Sequence, residues 1–400
     1  MRAMVLLDGS HDEGIIMDGL DILAQERSLS IVGGVLWKGQ GMSAPPTGFV
    51  AVDRLEQMPP ALLELIVKDV PEMVVDLLGP TVLLEFRNQL ASAAVARGVT
   101  YRGPDFTFHT PRLTKLACHP AVTLMSLARY SFKTALAAHL VKLHRSRASD
   151  RAVVIGMNRF GEAYPEVANG ERPDYSVTKV LAALKKGHTT LGNHQLAALA
   201  SRTLAVGCHS LGMGQTGIGY TSIIPDAALL AHELGATLFI YDPDGPSLPS
   251  VEVDAHILVT TIEIPLETLL SGLMMHRVYL ADLAVLLYDG SGVSQKNKGV
   301  EWKGRLKSIV PNLAIVQGML VPEFLGTEIG ENPFLAPDGN HMRINRLNFA
   351  LEKMGIKPCS SVEDLNKPGR TVKRLEKLLG DGVRPSSVWV DPSGEGLPEV

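Results

Sequence analysis

Apolar runs alternate with helical periods along most of the chain. Residues 2–7 form a nearly continuous apolar stretch that ends in Asp8-Gly9-Ser10-His11; a helical pattern follows through Leu20 and Leu23, and a second apolar run covers 31–36. Strands buried on both faces read as apolar runs rather than as alternations, so this opening is a β-α-β unit. The order repeats with a helix over 53–67, a strand over 72–77, a helix over 81–96 and a short strand over 98–101. That predicts a doubly wound domain over residues 1–115.

Gly103-Pro104 and Pro111 punctuate its end, after which an apolar run over 121–125 leads into a helix over 134–143. Strands follow at 152–157, 203–207, 237–241, 256–260, 283–287 and 313–316, separated by helix-like stretches. This predicts a second, mostly parallel sheet with helices on both faces over residues 116–325. Beyond about residue 326, Pro, Gly and Asn cluster over 330–340, and charged helical segments follow at 342–353, 362–365 and 372–379. The expected fold is therefore α/β: two doubly wound domains, the first Rossmann-like, with a helical appendage over 326–400 whose last ten residues carry no apolar period.

Composition narrows the function. Apolar residues make up 46% of the chain and aromatics only 5%, as expected of Val, Leu and Ala strands flanked by helices. A net charge of −4 with no long basic run gives nucleic-acid binding no support. Cys118, Cys208 and Cys359 are too few and too scattered for a disulfide framework or a paired zinc spacing, which suits a reducing compartment. The apolar start is cut short by Asp8, leaving no targeting segment, and no apolar run reaches bilayer length. A cytoplasmic protein with a small-molecule ligand, and with neither membrane nor nucleic-acid partners, is expected. Enzymes of this type commonly form symmetric dimers, so a homo-oligomer is expected as well.

Chemistry concentrates at predicted strand ends. The segment from Leu124 to Thr134 has the strand, loop and Lys-Thr helix start of a P-loop, in which backbone N–H groups cradle phosphates, the Lys neutralises them and the hydroxyl holds Mg²⁺. The usual glycines are absent: Phe132 precedes Lys133, and Ser126 and Ala128 stand where others would help. An ordinary helix start fits the same residues. After the next strand, residues 158–166 bring Arg159 and Glu166 to a strand-end loop. Residues 186–194 gather His188 and His194 with hydroxyl and amide groups around two glycines, which suits an anion; the histidine spacing does not suit zinc. Residues 207–219 carry five glycines, among them Gly212 and Gly214, where a backbone can approach a ligand. Cys208 and His209 are adjacent and so point apart on a strand, which argues against a catalytic dyad. Asp242, at a later strand end, stands where a P-loop protein keeps its magnesium carboxylate.

Taken in order, these segments resemble the cyclic 2,3-diphosphoglycerate synthetase family, P-loop relatives of dethiobiotin synthetase. Asp8, Gly9 and His11 match an opening D-G-E-H element. Residues 94–108 follow an A-x-A-R-G-V-x-Y-x-G-A-D-F-x-F pattern. Arg159, Gly161, Pro165 and Glu166 match an R-G-G-P-x-x-P-E loop, and Gly187-His188 resembles part of a G-x-H-x-x-S-D element. A G-C-R-R-C-G-G-G element is matched by residues 207–214, with His209 and Ser210 in place of both arginines.

The resemblance implies a P-loop-type second domain and an ATP- and Mg²⁺-dependent ligase that activates a small acid by phosphorylation, for closure or coupling. It then places Ser131, Lys133 and Thr134 on the nucleotide and Thr134 and Asp242 on the metal. Lys133, Arg159, Glu166 and His188 become the catalytic set, with Asp8, His11, His209, Gly212 and Gly214 toward the substrate. The alternative is that Phe132 marks a loop that has lost ATP, the cleft serving other chemistry or non-catalytic binding.

Overall fold

A computed structural model describes residues 1–9, 11–37, 45–111, 113–114, 116, 119–126, 133–144, 151–158, 163–175, 192–212, 214–243, 245–262, 264–288, 293–310, 312–317 and 389–390. The described chain divides into two compact units, Met1–Arg112 with Glu267–Leu280, and Leu113–Leu266 with Ala281–Val400.

In the first unit, β1 (Arg2–Asp8), β2 (Ser30–Trp37), β3 (Phe49–Val52), β4 (Met73–Asp76), β5 (Thr100–Arg102) and β6 (Thr107–Phe108) form one sheet in the order β3-β2-β1-β4-β5-β6. All pairings are parallel except β5 with β6. This is the doubly wound order, reversing direction between β1 and β4. Met4, Leu6, Val35 and Val74 on one face pack against α2 (Met58–Asp69) and α3 (Leu84–Val95). Val5, Leu7 and Leu36 on the other meet Ile16 and Leu20 of α1 (Glu13–Arg27). Asp76, at the end of β4, accepts from Leu78 N at 2.8 Å, from the Tyr101 hydroxyl at 2.6 Å and from Arg87.

The second unit is built on β7 (Ala121–Ser126), β8 (Ala152–Asn158), β9 (Glu166–Asn169), β10 (Leu204–Leu211), β11 (Thr221–Ser222), β12 (Leu238–Pro243), β13 (Ala255–Thr261), β14 (Leu283–Tyr288), β15 (Asn312–Gln317) and β16 (Trp389–Val390). Their order is β11-β10-β8-β12-β7-β13-β14-β15-β16, with β9 beside β10, and only β9 and β11 run antiparallel among these strands. α4 (Lys133–His144) and α5 (Asn193–Ser201) cover one face; α6 (Ile224–Glu233) lies on the other. Strand alternation sorts the side chains between them. Leu124, Val154, Ala205 and Ile240 face α4 and α5, whereas Val153, Ile155, Val206 and Phe239 face α6.

Three further α-helices belong to the described architecture: α7 (Leu266–Leu269), α8 (Gly272–Leu280) and α9 (Val293–Lys307). α8 packs on α3 of the first unit, where Gln89 Nε2 donates to the Tyr279 hydroxyl at 3.3 Å. Residues 267–280 therefore belong by packing with residues 1–112, although they follow the second unit's strands in sequence. The predicted C-terminal helices lie outside the described residues; of the appendage only Trp389–Val390 is described, as a strand parallel to β15. Among the described residues no helix is long and apolar enough to cross a membrane.

Candidate active site

The carboxyl end of the second sheet gathers most of the predicted chemistry that the structure describes. β7 leads toward α4, which begins at Lys133, so Lys133 and Thr134 occupy the first turn of a helix over the sheet edge. β12 lies directly beside β7 and carries Asp242 to the same edge. Thr134 Oγ1 donates to Asp242 Oδ2 at 2.7 Å, and the Lys133 ammonium stands 3.6 Å from Oδ1. Lys133 also donates to the Pro243 carbonyl and approaches that of Gly245 at 3.4 Å. Both charged side chains are almost wholly removed from water, at 5% and 0% exposure, so each gains from the opposite charge of the other. A hydroxyl and a carboxylate at the start of a helix form an all-oxygen donor set suited to Mg²⁺, which takes few protein ligands when it arrives with phosphates.

Beside this cluster, β-sheet register builds a second one. Glu166 of β9 pairs with Gly207 of β10, Gly207 with Gly156 of β8, and Gly156 with Asp242. One row across the sheet thus reads carboxylate, glycine, glycine, carboxylate, its ends roughly 14 Å apart at the usual spacing between strands. The first turn of α5 sits on the two glycines. A Cβ at Gly156 would lie 2.4 Å from His194 N, and one at Gly207 would lie 2.4 Å from His194 Cε1. No other residue type leaves that space.

The same turn reaches both ends of the row. Asn193 Nδ2 donates to the Asp242 carbonyl at 3.2 Å, and Asn193 N donates to Asn158 Oδ1 at 3.3 Å. At the other end His194 Nε2 lies 3.4 Å from Glu166 Oε2, and Gln195 Nε2 donates to Oε1 at 3.4 Å. Hydrogen bonding from His194 holds the Glu166 carboxyl below the usual range, outweighing an opposite push from partial burial.

Gly156→Ala is expected to cost about 1–3 kcal/mol of stability, because its methyl meets helix backbone that cannot turn aside. Gly207→Ala meets mainly the imidazole ring and should cost less. Equal losses for the two variants in urea titrations would contradict this account of the glycine floor.

Four predicted residues, Ser131 and Phe132 of the loop with Arg159 and His188, lie outside the described residues. Asp8 and His11 belong to the first unit, where Asp8 Oδ2 accepts from Gly79 N at 2.5 Å. β10 runs on through Leu211, so Cys208, His209 and Ser210 are strand residues rather than loop. His209 pairs in register with Asn158 and shares the α5 face with Gly207. Ser210 points to the other face and is buried. Of the two positions where the family pattern has arginine, one therefore faces the cluster. Burial pushes the Cys208 thiol up to about 12, an inert thiol packed against α6. Gly214 N donates to the Ile218 carbonyl at 3.0 Å and Gly217 N to Gly214 at 2.9 Å, so both amides close the turn after β10. Asn193 and His194 open a helix rather than ending a loop.

The profile of the family described as "Cyclic 2,3-diphosphoglycerate synthetase, P-loop domain" matches residues 122–319, the whole of this site. Residues 122–319 belong to the P-loop domain of the cyclic 2,3-diphosphoglycerate synthetase family. Among similar proteins, the cyclic 2,3-diphosphoglycerate synthetase of Rubrobacter xylanophilus is 27% identical over 387 residues, 95% of this chain and 86% of the relative. That of Thermococcus kodakarensis is 26% identical over 378 residues, 94% and 86% of the two chains. That of Methanothermobacter thermautotrophicus is 28% identical over 274 residues, 68% of this chain and 59% of the relative. The cyclic 2,3-diphosphoglycerate synthetase family thus supplies a counterpart for both units. The row joining Glu166 to Asp242 falls inside its P-loop domain.

Proposed function

We propose that this chain is an ATP-dependent synthetase that phosphorylates a small acid and uses the activated group for closure or coupling. The observation that carries the reading is the Lys133, Thr134 and Asp242 constellation at the carboxyl end of β7 and β12. Lys133 and Thr134 remain together at a helix start and meet a strand-end carboxylate, which supports retained nucleotide use over its loss. Thr134 and Asp242 would be the protein donors to a Mg²⁺, which would supply charge neutralisation for the nucleotide's phosphates. Lys133, released from the Pro243 carbonyl, would reach the β- and γ-phosphates.

In the first step an oxygen of the acid forms a bond to the γ-phosphorus, the bond from that phosphorus to the β-bridging oxygen breaks, and ADP leaves. In the second, the acceptor attacks the activated centre and inorganic phosphate departs. Glu166 orients the attacking group, and Arg159, His188 and His209 contact the acid. His209, at the one cluster-facing position where the family pattern has arginine, removes a rigid bidentate donor, so the acid carries less negative charge than a diphosphoglycerate. A carboxylate activated as an acyl phosphate fits this.

Mg-ATP at millimolar concentration is expected to raise the melting temperature by mass action. ADP release on adding candidate acids, 2,3-diphosphoglycerate included, then ranks the substrates. An unchanged melting temperature would remove ATP from the reading and leave the cleft to other chemistry.

A further inference from the structure

We propose that His194 is a positioning residue, seated on Gly156 and Gly207, that fixes the Glu166 carboxylate on the acceptor side of the site. This deepens the synthetase reading and rests on it for the acceptor's identity. A pocket floored by glycine on two adjacent strands would be filled most stably by an apolar side chain. It holds an imidazole instead, 2% exposed, neither of whose nitrogens has a hydrogen-bond partner among the described residues. Burying a polar nitrogen without a partner is costly, so the ring is poorly explained as packing. Its Nε2 stands at ion-pair distance from Glu166, 3.4 Å from Oε2, and Gln195, one residue on, donates to the second carboxylate oxygen.

Both oxygens are thereby approached from one helical turn, while the Glu166 side chain stays 39% exposed. Among the described residues the groups facing it are His194 and Gln195 from α5, and Tyr175, whose hydroxyl is pushed up to about 12 by burial and then by the Glu166 charge. Asn193 of the same turn holds the Asp242 carbonyl. The start of α5 therefore sets the spacing between the carboxylate on the nucleotide side and the one on the acceptor side. Misplacement by about 1 Å at such a distance can cost ~10²-fold in rate.

The test uses the full chain labelled with ¹³C at glutamate carboxyls. In His194→Ala the Glu166 titration midpoint is expected to rise toward the ordinary glutamate value, and in His194→Gln, which keeps a donor at similar reach, to return toward wild type. With a substrate that supports ADP release, kcat/KM for the acid should fall about 10²-fold in His194→Ala, while stabilisation by Mg-ATP is retained. A Glu166 midpoint that is the same in His194→Ala and wild type overturns the proposal. So does a fall in activity matched by an equal loss of Mg-ATP stabilisation, since that is the mark of a merely structural residue. Absence of ADP release in the wild type would defeat the synthetase reading alone, and the glutamate titration would still decide the role of His194.

Discussion

Lys133→Met is expected to abolish stabilisation by Mg-ATP and to lower ADP release by about 10²–10³-fold, the usual cost of losing one preorganised electrostatic donor. Two effects overlap in this variant. Among the described residues the ammonium is the cation paired with Asp242, at 3.6 Å, and Asp242 is fully buried. Removing it takes one opposite charge from a buried ion pair, which typically costs about 3–5 kcal/mol. Methionine fills the same volume, so loss of packing does not add to the deficit. Asp242→Asn separates the effects: the amide oxygen can still accept from Thr134, the lysine keeps its carbonyls, and metal affinity falls with the charge. Loss of the Mg-ATP shift in both variants, with a larger intrinsic destabilisation in Lys133→Met, is the expected pattern. A wild-type Mg-ATP shift in Lys133→Met would place the nucleotide elsewhere.

That pair could be named from the sequence, but its juxtaposition could not. Lys133-Thr134 was legible as a helix start after an apolar run, and Asp242 as a carboxylate at a strand end. Their contact follows from strand order, because β12 returns to lie between β8 and β7. Strand order comes from packing of whole elements and leaves no local mark. The central strands were legible throughout, since Val, Ile, Leu and Ala on both faces produce apolar runs. Short edge strands were not. Glu166–Asn169 has the composition of a loop and becomes a strand only by pairing with β10. β10 was expected to end at Gly207, where a glycine ordinarily weakens a strand; it continues through Leu211, because at that position the missing Cβ admits His194. His194 itself stood among residues that read as an anion-binding loop. Its setting depends on two glycines that matter only once register puts them side by side.

A comparably large loss of stability is expected in the first unit, at Asp76. Asp76→Ala should destabilise residues 1–112 by about 3–5 kcal/mol, because it strips the partner from a buried guanidinium. Arg87 is 8% exposed, and its remaining contacts are neutral carbonyls: Leu78 at 2.6 Å, Gly79 at 2.7 Å and Val82 at 3.3 Å. The Tyr101 hydroxyl, whose ionisation is opposed first by burial and then by the Asp76 charge, would lose its acceptor too. The carboxylate also accepts from Leu78 N, so the variant frees the chain just after β4, at the point where the strand order reverses. Hydrogen exchange resolves the effect by unit: amides of β1, β4 and α3 should lose protection, while those of β7, β8 and β12 keep theirs. The double variant Asp76→Leu with Arg87→Met should regain part of the loss, because replacing both charges by apolar groups removes the uncompensated cation. Unchanged exchange in β1 and β4 of Asp76→Ala would show that the guanidinium finds water or another partner, and that this network contributes little to holding the unit together.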